Sequence, residues 1–330
     1  MTALIQTEGV SKSYGDFVAL DGVSLSIAEG ELVSIVGPNG AGKTTLVNVL
    51  TGLLKPTAGV VRFKGHDIAG IGPVRLAQRG MARAFQLVHI FPAMTVAETI
   101  SVAVISQTGR GLRLFASARK DAAVRTRVRE VAAIFGLEAK LESESRLLSQ
   151  RGMARAFQLV HIFPAMTVAE TIAVAVISQT RRSLRLFASA RKDTAVRARV
   201  IEVAAIFGLE GKLDSEARLL SQGEKKLLDI ASAFALSPEV ILLDEPTSGV
   251  SSGDKHGIMR NVIDAAKRAG VKAIILVEHD MDLVAEYSSR IVALTAGKVL
   301  ADRPPAQFFG DPEIIAAVVG KVPGKHAKGA

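Results

Sequence analysis

The stretch Glu31 to Thr45, ELVSIVGPNGAGKTT, leaves little freedom in what this chain can fold into. Glu31 to Val36 alternates and is apolar, which predicts a buried strand. The loop Gly37-Pro38-Asn39-Gly40-Ala41-Gly42-Lys43-Thr44 follows at once, and Thr44 to Leu53, with Thr45 in its first turn, reads as a helix. Glycines at these positions let backbone N–H groups curl around the β- and γ-phosphates of a nucleotide. The helix N-terminus adds its dipole, Lys43 adds a point charge, and Thr44 offers a hydroxyl to Mg²⁺. The segment therefore predicts an α/β architecture built around a phosphate-binding loop.

Two more apolar runs, Val240 to Leu243 and Ala273 to Val277, read as buried parallel strands. The first ends in Asp244-Glu245, and His279 stands just past the second. A carboxylate at the carboxyl end of a buried strand suits Mg²⁺ held through water, which assigns Asp244 to the metal. Glu245 can polarise an attacking water; the alternative for this acidic pair is a helix cap ahead of Pro246. His279 lies where α/β sites gather, although a lone histidine is also a common structural residue. Near the N-terminus, Leu4 to Ser11, Gly22 to Ile27 and Gly59 to Phe63 read as strands, the first two as part of an antiparallel layer.

Residues 79–150 recur at 151–222, an offset of 72, and the copies differ at nine positions, among them Gly109 against Arg181, Arg129 against Ile201 and Ser145 against Ala217. Two units are too few for a solenoid, and one phosphate loop with one Leu-Leu-Asp-Glu strand rules out tandem nucleotide-binding domains. An in-frame duplication inside a single domain spanning 1–330 remains. Residues 1–78 and 223–330 then form a catalytic core, and 79–150 and 151–222 are tandem copies of one inserted segment. Each copy carries a strand candidate, Met81 to Phe85 or Met153 to Phe157. Each also carries a helical face, Val124, Val128, Val131 and Phe135 or Val196, Val200, Val203 and Phe207. Only copy two continues into Leu-Ser-Gln-Gly-Glu, because copy one ends Leu-Ser-Gln-Arg-Gly.

Composition narrows the function classes. There is no Cys, so neither a disulfide framework nor a thiolate metal site is available. The N-terminus MTALIQTEGV lacks the pattern of a signal peptide. No apolar run approaches the roughly 20 residues that span a bilayer. The net charge of +9 is spread along the chain rather than gathered in one basic run, which favours a solvated surface over a nucleic-acid partner. The tail Lys321 to Ala330 is small, polar and basic and reads as disordered.

The order of these parts, with Leu220 to Thr247 (LSQGEKKLLDIASAFALSPEVILLDEPT), resembles the ATP-binding cassette (ABC) ATPases. The resemblance implies a P-loop NTPase fold with a RecA-like core, an antiparallel β layer and a helical subdomain, here duplicated. It implies ATP and Mg²⁺ as cofactors, with Thr44, Gln86 and Asp244 near the metal. Glu245, His279 and Gln86 or Gln158 are implied for catalysis, the two glutamines competing for one Q-loop position. Gln86 is favoured because its strand follows the native lead-in. Tyr14 matches the aromatic that stacks on adenine, with an ordinary turn residue as the alternative. Ser221, Gln222, Gly223 and Glu224 match the signature turn, which in this family completes the ATP site of a second copy. The commoner form has Gly and Gln where Gln222 and Glu224 stand, and Ser251 replaces a common Asp.

FQLVHIFPAMTVAETI, EHDMDLV and Phe309 to Gly320 resemble the branched-chain amino acid importer subunits. That likeness implies a homo- or heterodimer of ATPase subunits, two membrane permease partners and, indirectly, a periplasmic solute-binding protein. It implies a peripheral place on the cytoplasmic face of the inner membrane and no nucleic acid. The alternatives are a urea or short-amide importer, and an ATP-binding protein impaired by its duplication. A soluble ABC ATPase of translation or DNA repair usually needs two cassettes or a long coiled coil, and this chain has neither.

Overall fold

A computed structural model describes residues 3–84, 122–134, 141, 166–179 and 193–319. Gln86, Gln158, the strand candidate Met153 to Phe157, the junction Gln150-Arg151 and the tail Lys321 to Ala330 lie outside the described residues. The chain divides into two compact units. One comprises Met1–Arg83, Glu239–Glu245 and Gly270–Ala330; the other comprises Ala84–Pro238 and Pro246–Ala269.

In the first unit the long strands β1 (Ala3–Tyr14) and β2 (Phe17–Ala28) form an antiparallel hairpin. Strands β4 (Ala58–Phe63) and β5 (His66–Asp67) extend it to a four-stranded sheet of order β2-β1-β4-β5. A six-stranded sheet has the order β10-β9-β3-β8-β7-β6. Its members are β3 (Leu32–Val36), β6 (Met81–Ala84), β7 (Val240–Asp244), β8 (Ala273–Val277), β9 (Arg290–Thr295) and β10 (Lys298–Arg303). Strands β9, β3, β8 and β7 run parallel. Their residues are almost all fully buried, as a sheet covered on both faces demands. Helix α1 (Lys43–Leu50) follows the phosphate loop and buries Leu46, Val47, Val49 and Leu50 in the core shared with both sheets. It stops earlier than the expected Leu53, because Gly52 turns the chain at φ +68°. Helix α2 (Pro73–Gln78) leads into β6.

Copy one therefore supplies the strand that edges the parallel sheet. The pairing begins where Gly80 accepts backbone hydrogen bonds from Glu239 (2.7 Å) and Val240 (2.9 Å).

The second unit is helical. Copy one contributes α3 (Ala122–Ile134), in which Val128 and Ala132 are buried. Copy two contributes α4 (Val168–Gln179) and α5 (Thr194–Ile206), and α6 (Gln222–Phe234) and α7 (Ser252–Arg268) come from beyond it. Helix α4 packs on α5 and α6, and α7 packs on α5 and α6. Of the predicted face on α5, Val200 and Val203 are buried, with Phe207 just past the helix end. The Phe207 ring meets Phe234 edge to face at 5.1 Å, a favoured aromatic geometry. Arg199 donates to the Phe234 carbonyl and to Ser237 Oγ, both at 3.0 Å. Thr167 and Glu170 cap α4 reciprocally, the Thr167 amide donating to Glu170 Oε2 (2.9 Å) and the Glu170 amide to Thr167 Oγ1 (3.1 Å).

This division differs from the expected boundaries. Residues 223–330 were expected to form one core segment, yet 223–238 and 246–269 belong to the helical unit. The reason is packing: the apolar faces of α6 and α7 are covered by helices of the inserted segment. After these helices, α8 (Met281–Tyr287), α9 (Pro305–Phe309) and α10 (Pro312–Val319) close the first unit. Val284, Phe308, Ile314 and Val318 from them cover β9.

Candidate active site

The loop between β3 and α1 needs its glycines. Gly37, Gly40 and Gly42 have φ of +149°, +81° and +99°, a region that side chains disfavour. A Cβ at Gly37 would come within 2.2 Å of the Leu294 carbonyl oxygen, and one at Gly42 within 2.6 Å of that of Ala19. Pro38, Asn39, Gly40 and Thr44 are exposed, Thr45 is half-buried, and Ala41 is packed inside. Lys43 folds back, its Nζ donating to the carbonyls of Gly37 (2.6 Å) and Pro38 (3.0 Å). Burial pulls the Lys43 ammonium below its ordinary pKa, while the charges of Glu245 and Asp244 pull it back up. The loop is thus a glycine-built concavity with a cation held across its mouth by its own carbonyls.

Two neighbouring strands bring the acidic pair and the histidine together. In the sheet, β8 lies between β3 and β7, so all three strands end on the same edge as the loop. Asp244 is the last residue of β7, pairing with Val277 of β8. Glu245 follows at φ +51°, and its amide donates to the Val277 carbonyl (2.9 Å). No helix starts at Pro246, since α7 begins at Ser252, so the pair is not a helix cap. His279 Nε2 lies 2.9 Å from Glu245 Oε1. The buried Glu278 accepts from the His279 amide (3.1 Å).

Sequence reasoning missed Arg83. This strand residue on β6 pairs through Nη2 with Asp244 Oδ2 and donates through Nη1 to Asn48 Oδ1 on α1 (2.7 Å). Its side chain is 6% exposed. Burial lowers the guanidinium pKa, with Asp244 opposing. An arginine between the apolar residues of the strand candidate Met81 to Phe85 was the available signal, because such a charge is rarely buried unpaired.

Tyr14 ends β1 and is exposed, with Lys12 Nζ 5.3 Å above its ring. The signature residues lie in the helical unit. Ser221 caps α6, accepting from the Glu224 amide (3.2 Å), and Glu224 Oε2 accepts from the Ser221 amide (2.9 Å). Lys212 pairs with the same carboxylate. That pairing, with the Ser221 amide, holds Glu224 below the usual carboxylate range. Gln222 is exposed, and Gly223 lies against Ile258 without crowding. Ser251 precedes α7, and its Oγ donates to Asp254 Oδ2 (2.6 Å).

These donors fit a nucleotide with its magnesium ion. The glycine concavity would receive phosphates. Thr44 and Asp244 offer the hydroxyl and single carboxylate that a magnesium ion takes when phosphates and water supply the rest. Among the described residues no cluster of three or more His, Cys, Asp or Glu could hold a metal by protein ligands alone.

Comparison with known proteins places these features in context. The ABC transporter family model matches residues 20–150 and, overlapping that span, 134–248. The chain is 26% identical over 318 residues to the high-affinity branched-chain amino acid transport ATP-binding protein BraF of Pseudomonas aeruginosa. It is 28% identical over 318 residues to the corresponding protein LivG of Salmonella typhimurium. Each alignment covers 96% of this chain and 98% of the relative. Among solved structures, a nucleotide-free ATP-binding cassette from an ABC transporter superposes with a TM-score of 0.62 at 24% identity, covering 97% of this chain and 100% of that one. A cassette in its ADP conformation gives 0.61 at 25% identity over 97% and 100%. A dimeric bacterial ABC transporter cassette gives 0.58 at 22% over 91% and 98%.

Proposed function

The chain belongs to the ABC transporter family, and from that premise we propose that it is the ATP-hydrolysing subunit of an importer for branched-chain amino acids. The observation that carries the catalytic part is the common strand edge: phosphate loop after β3, Asp244-Glu245 after β7 and His279 after β8, with Glu245 and His279 2.9 Å apart. Ligands of α/β sheets bind outside the carboxyl ends of the strands.

In this reading the loop amides of Gly37 to Thr45 and Lys43 hold the β- and γ-phosphates. Tyr14 stacks on the adenine. Thr44 and Asp244, with Gln86 as the family resemblance implies, would hold magnesium, which when bound would neutralise phosphate charge. Glu245 accepts a proton from the attacking water, and His279 holds the Glu245 carboxylate in place and reaches for the γ-phosphate. Ser221, Gln222, Gly223 and Glu224 open α6 and serve the ATP of a second subunit. That arrangement makes a head-to-tail dimer with two isologous sites.

The solute class rests on the relatives. They are spanned almost end to end, and they are named for branched-chain amino acid transport. The proposed partners are membrane permease subunits and, indirectly, a periplasmic binding protein, with the chain on the cytoplasmic membrane face. No described helix is long and apolar enough to cross a membrane, so attachment would run through the permeases. The test is reconstitution with the permeases in liposomes. Leucine- or isoleucine-dependent ATP hydrolysis is the expected result. Stimulation by urea or a short amide instead would overturn the solute assignment and leave the ATPase standing.

A further inference from the structure

We infer that Arg83 is a positioning residue for the metal site, the resident counter-ion of Asp244 that makes divalent-cation binding depend on nucleotide. The inference rests on the reading of Asp244 as the magnesium carboxylate.

Three elements of one unit fix the guanidinium. Strand β6 carries it, β7 presents Asp244 Oδ2 to Nη2, and α1 presents Asn48 Oδ1 to Nη1 at 2.7 Å. Asn48 stands one helical turn beyond Thr44, the proposed hydroxyl ligand. Nε is shielded and makes no hydrogen bond. The fork is therefore committed to these two acceptors, and its planar shape fixes the direction of the carboxylate.

The electrostatic consequence follows from burial. Asp244 is one negative charge facing the Arg83 guanidinium at contact distance, and the Lys43 ammonium acts on it as well. A bare divalent cation approaching Asp244 meets the Arg83 guanidinium at contact and the Lys43 ammonium nearby, which offset the carboxylates of Asp244 and Glu245 and leave no net negative charge to attract it, in a place where water screens weakly. The phosphates of a nucleotide reverse that balance. With nucleotide bound, Asp244, already oriented by Arg83, would help to hold a divalent cation directly or through water.

Manganese is a paramagnetic stand-in for magnesium, and its binding can be followed by electron paramagnetic resonance on nucleotide-free protein. Arg83→Gln removes the charge and keeps a hydrogen-bonding group. It should bind manganese about tenfold or more tighter than the parent. Arg83→Lys, which keeps the charge, should stay close to the parent. In the double variant Arg83→Gln/Asp244→Asn the gain should vanish. Unchanged or weaker manganese binding by Arg83→Gln, or a gain that survives loss of the Asp244 charge, overturns the proposal. If Arg83→Gln does not fold, the parent alone decides. Manganese bound by the nucleotide-free parent at about 10 μM or tighter overturns it, and weaker binding that a non-hydrolysable ATP analogue tightens beyond the analogue's own affinity for manganese supports it. A fluorescent ATP analogue titrated without metal reads the phosphate loop separately. A parent that fails to bind it refutes the nucleotide reading itself, rather than the role of Arg83.

Discussion

His279 Nε2 and Glu245 Oε1 lie 2.9 Å apart, although 34 residues separate them in the chain. The contact exists because β7 and β8 are parallel neighbours, Asp244 pairing with Val277, so both chain exits leave the same edge. Glu245 turns at φ +51° as it leaves, a conformation that costs a non-glycine residue. The hydrogen bond that its amide N–H donates to the Val277 carbonyl helps to hold that turn.

That contact predicts the behaviour of the chemical step. Glu245→Gln should bind ATP as the parent does and lose about 10²- to 10⁴-fold in kcat, since an amide is a poor proton acceptor. His279→Ala should lower kcat with little change in ATP affinity. Phosphate release and fluorescent-nucleotide titration separate the two quantities. A Glu245→Gln variant with parental turnover would remove it as the base.

Lys43 bridges the loop through the Gly37 and Pro38 carbonyls before any phosphate arrives. Lys43→Ala should therefore weaken ATP binding by about 100-fold, losing the nearest full charge. Thermal stability should fall little, because the loop shape comes from glycine φ values rather than from the ammonium. Calorimetry with ATP and a melting curve test both halves.

Asp229 on α6 gives a pH dependence of stability. Its Oδ1 is shielded without a hydrogen-bond partner. Burial pushes the carboxyl up to about 7 from 3.8, against the pull of Lys226. The folded state then holds a proton that the unfolded chain releases, so stability falls as pH rises from about 4 through 7. Asp229→Asn should remove that slope. The variant should be near parental at pH 4 and up to about 4 kcal/mol more stable at pH 8, three pKa units at most. Urea unfolding at the two pH values measures it, and an unchanged slope would show that the carboxylate is not strained.

The duplication makes a further prediction. Deleting 79–150 leaves copy two, with an identical Met-Ala-Arg-Ala strand sequence available for the place of β6. Deleting 151–222 leaves copy one, which carries Ser145 where copy two has the buried Ala217. Both shortened chains should fold and hydrolyse ATP. The chain lacking 151–222 should be the less stable, by about 1–3 kcal/mol for a hydroxyl placed at a buried site. Melting temperatures and ATPase rates of the three chains compare them. Failure of both deletions to fold would show that the core needs both copies.

The local parts are legible in the residues alone. An alternating apolar run before a glycine-rich loop can only be a buried strand feeding a phosphate-sized turn. Val240–Asp244 and Ala273–Val277 carry their strand assignment in their own residues. Which strands become neighbours is another matter, because it depends on where distant segments pack. The order β3-β8-β7-β6 brings Glu245 to His279 and Arg83 to Asp244, and nothing near Arg83 in the chain names its partner. The two copies show the same limit most sharply. They are nearly identical, so local propensity cannot choose between them. Tertiary packing takes β6 from copy one, and sets α4 and α5 of copy two against α6 and α7, because a sheet edge and a helical face are each completed by contacts that neither copy contains alone.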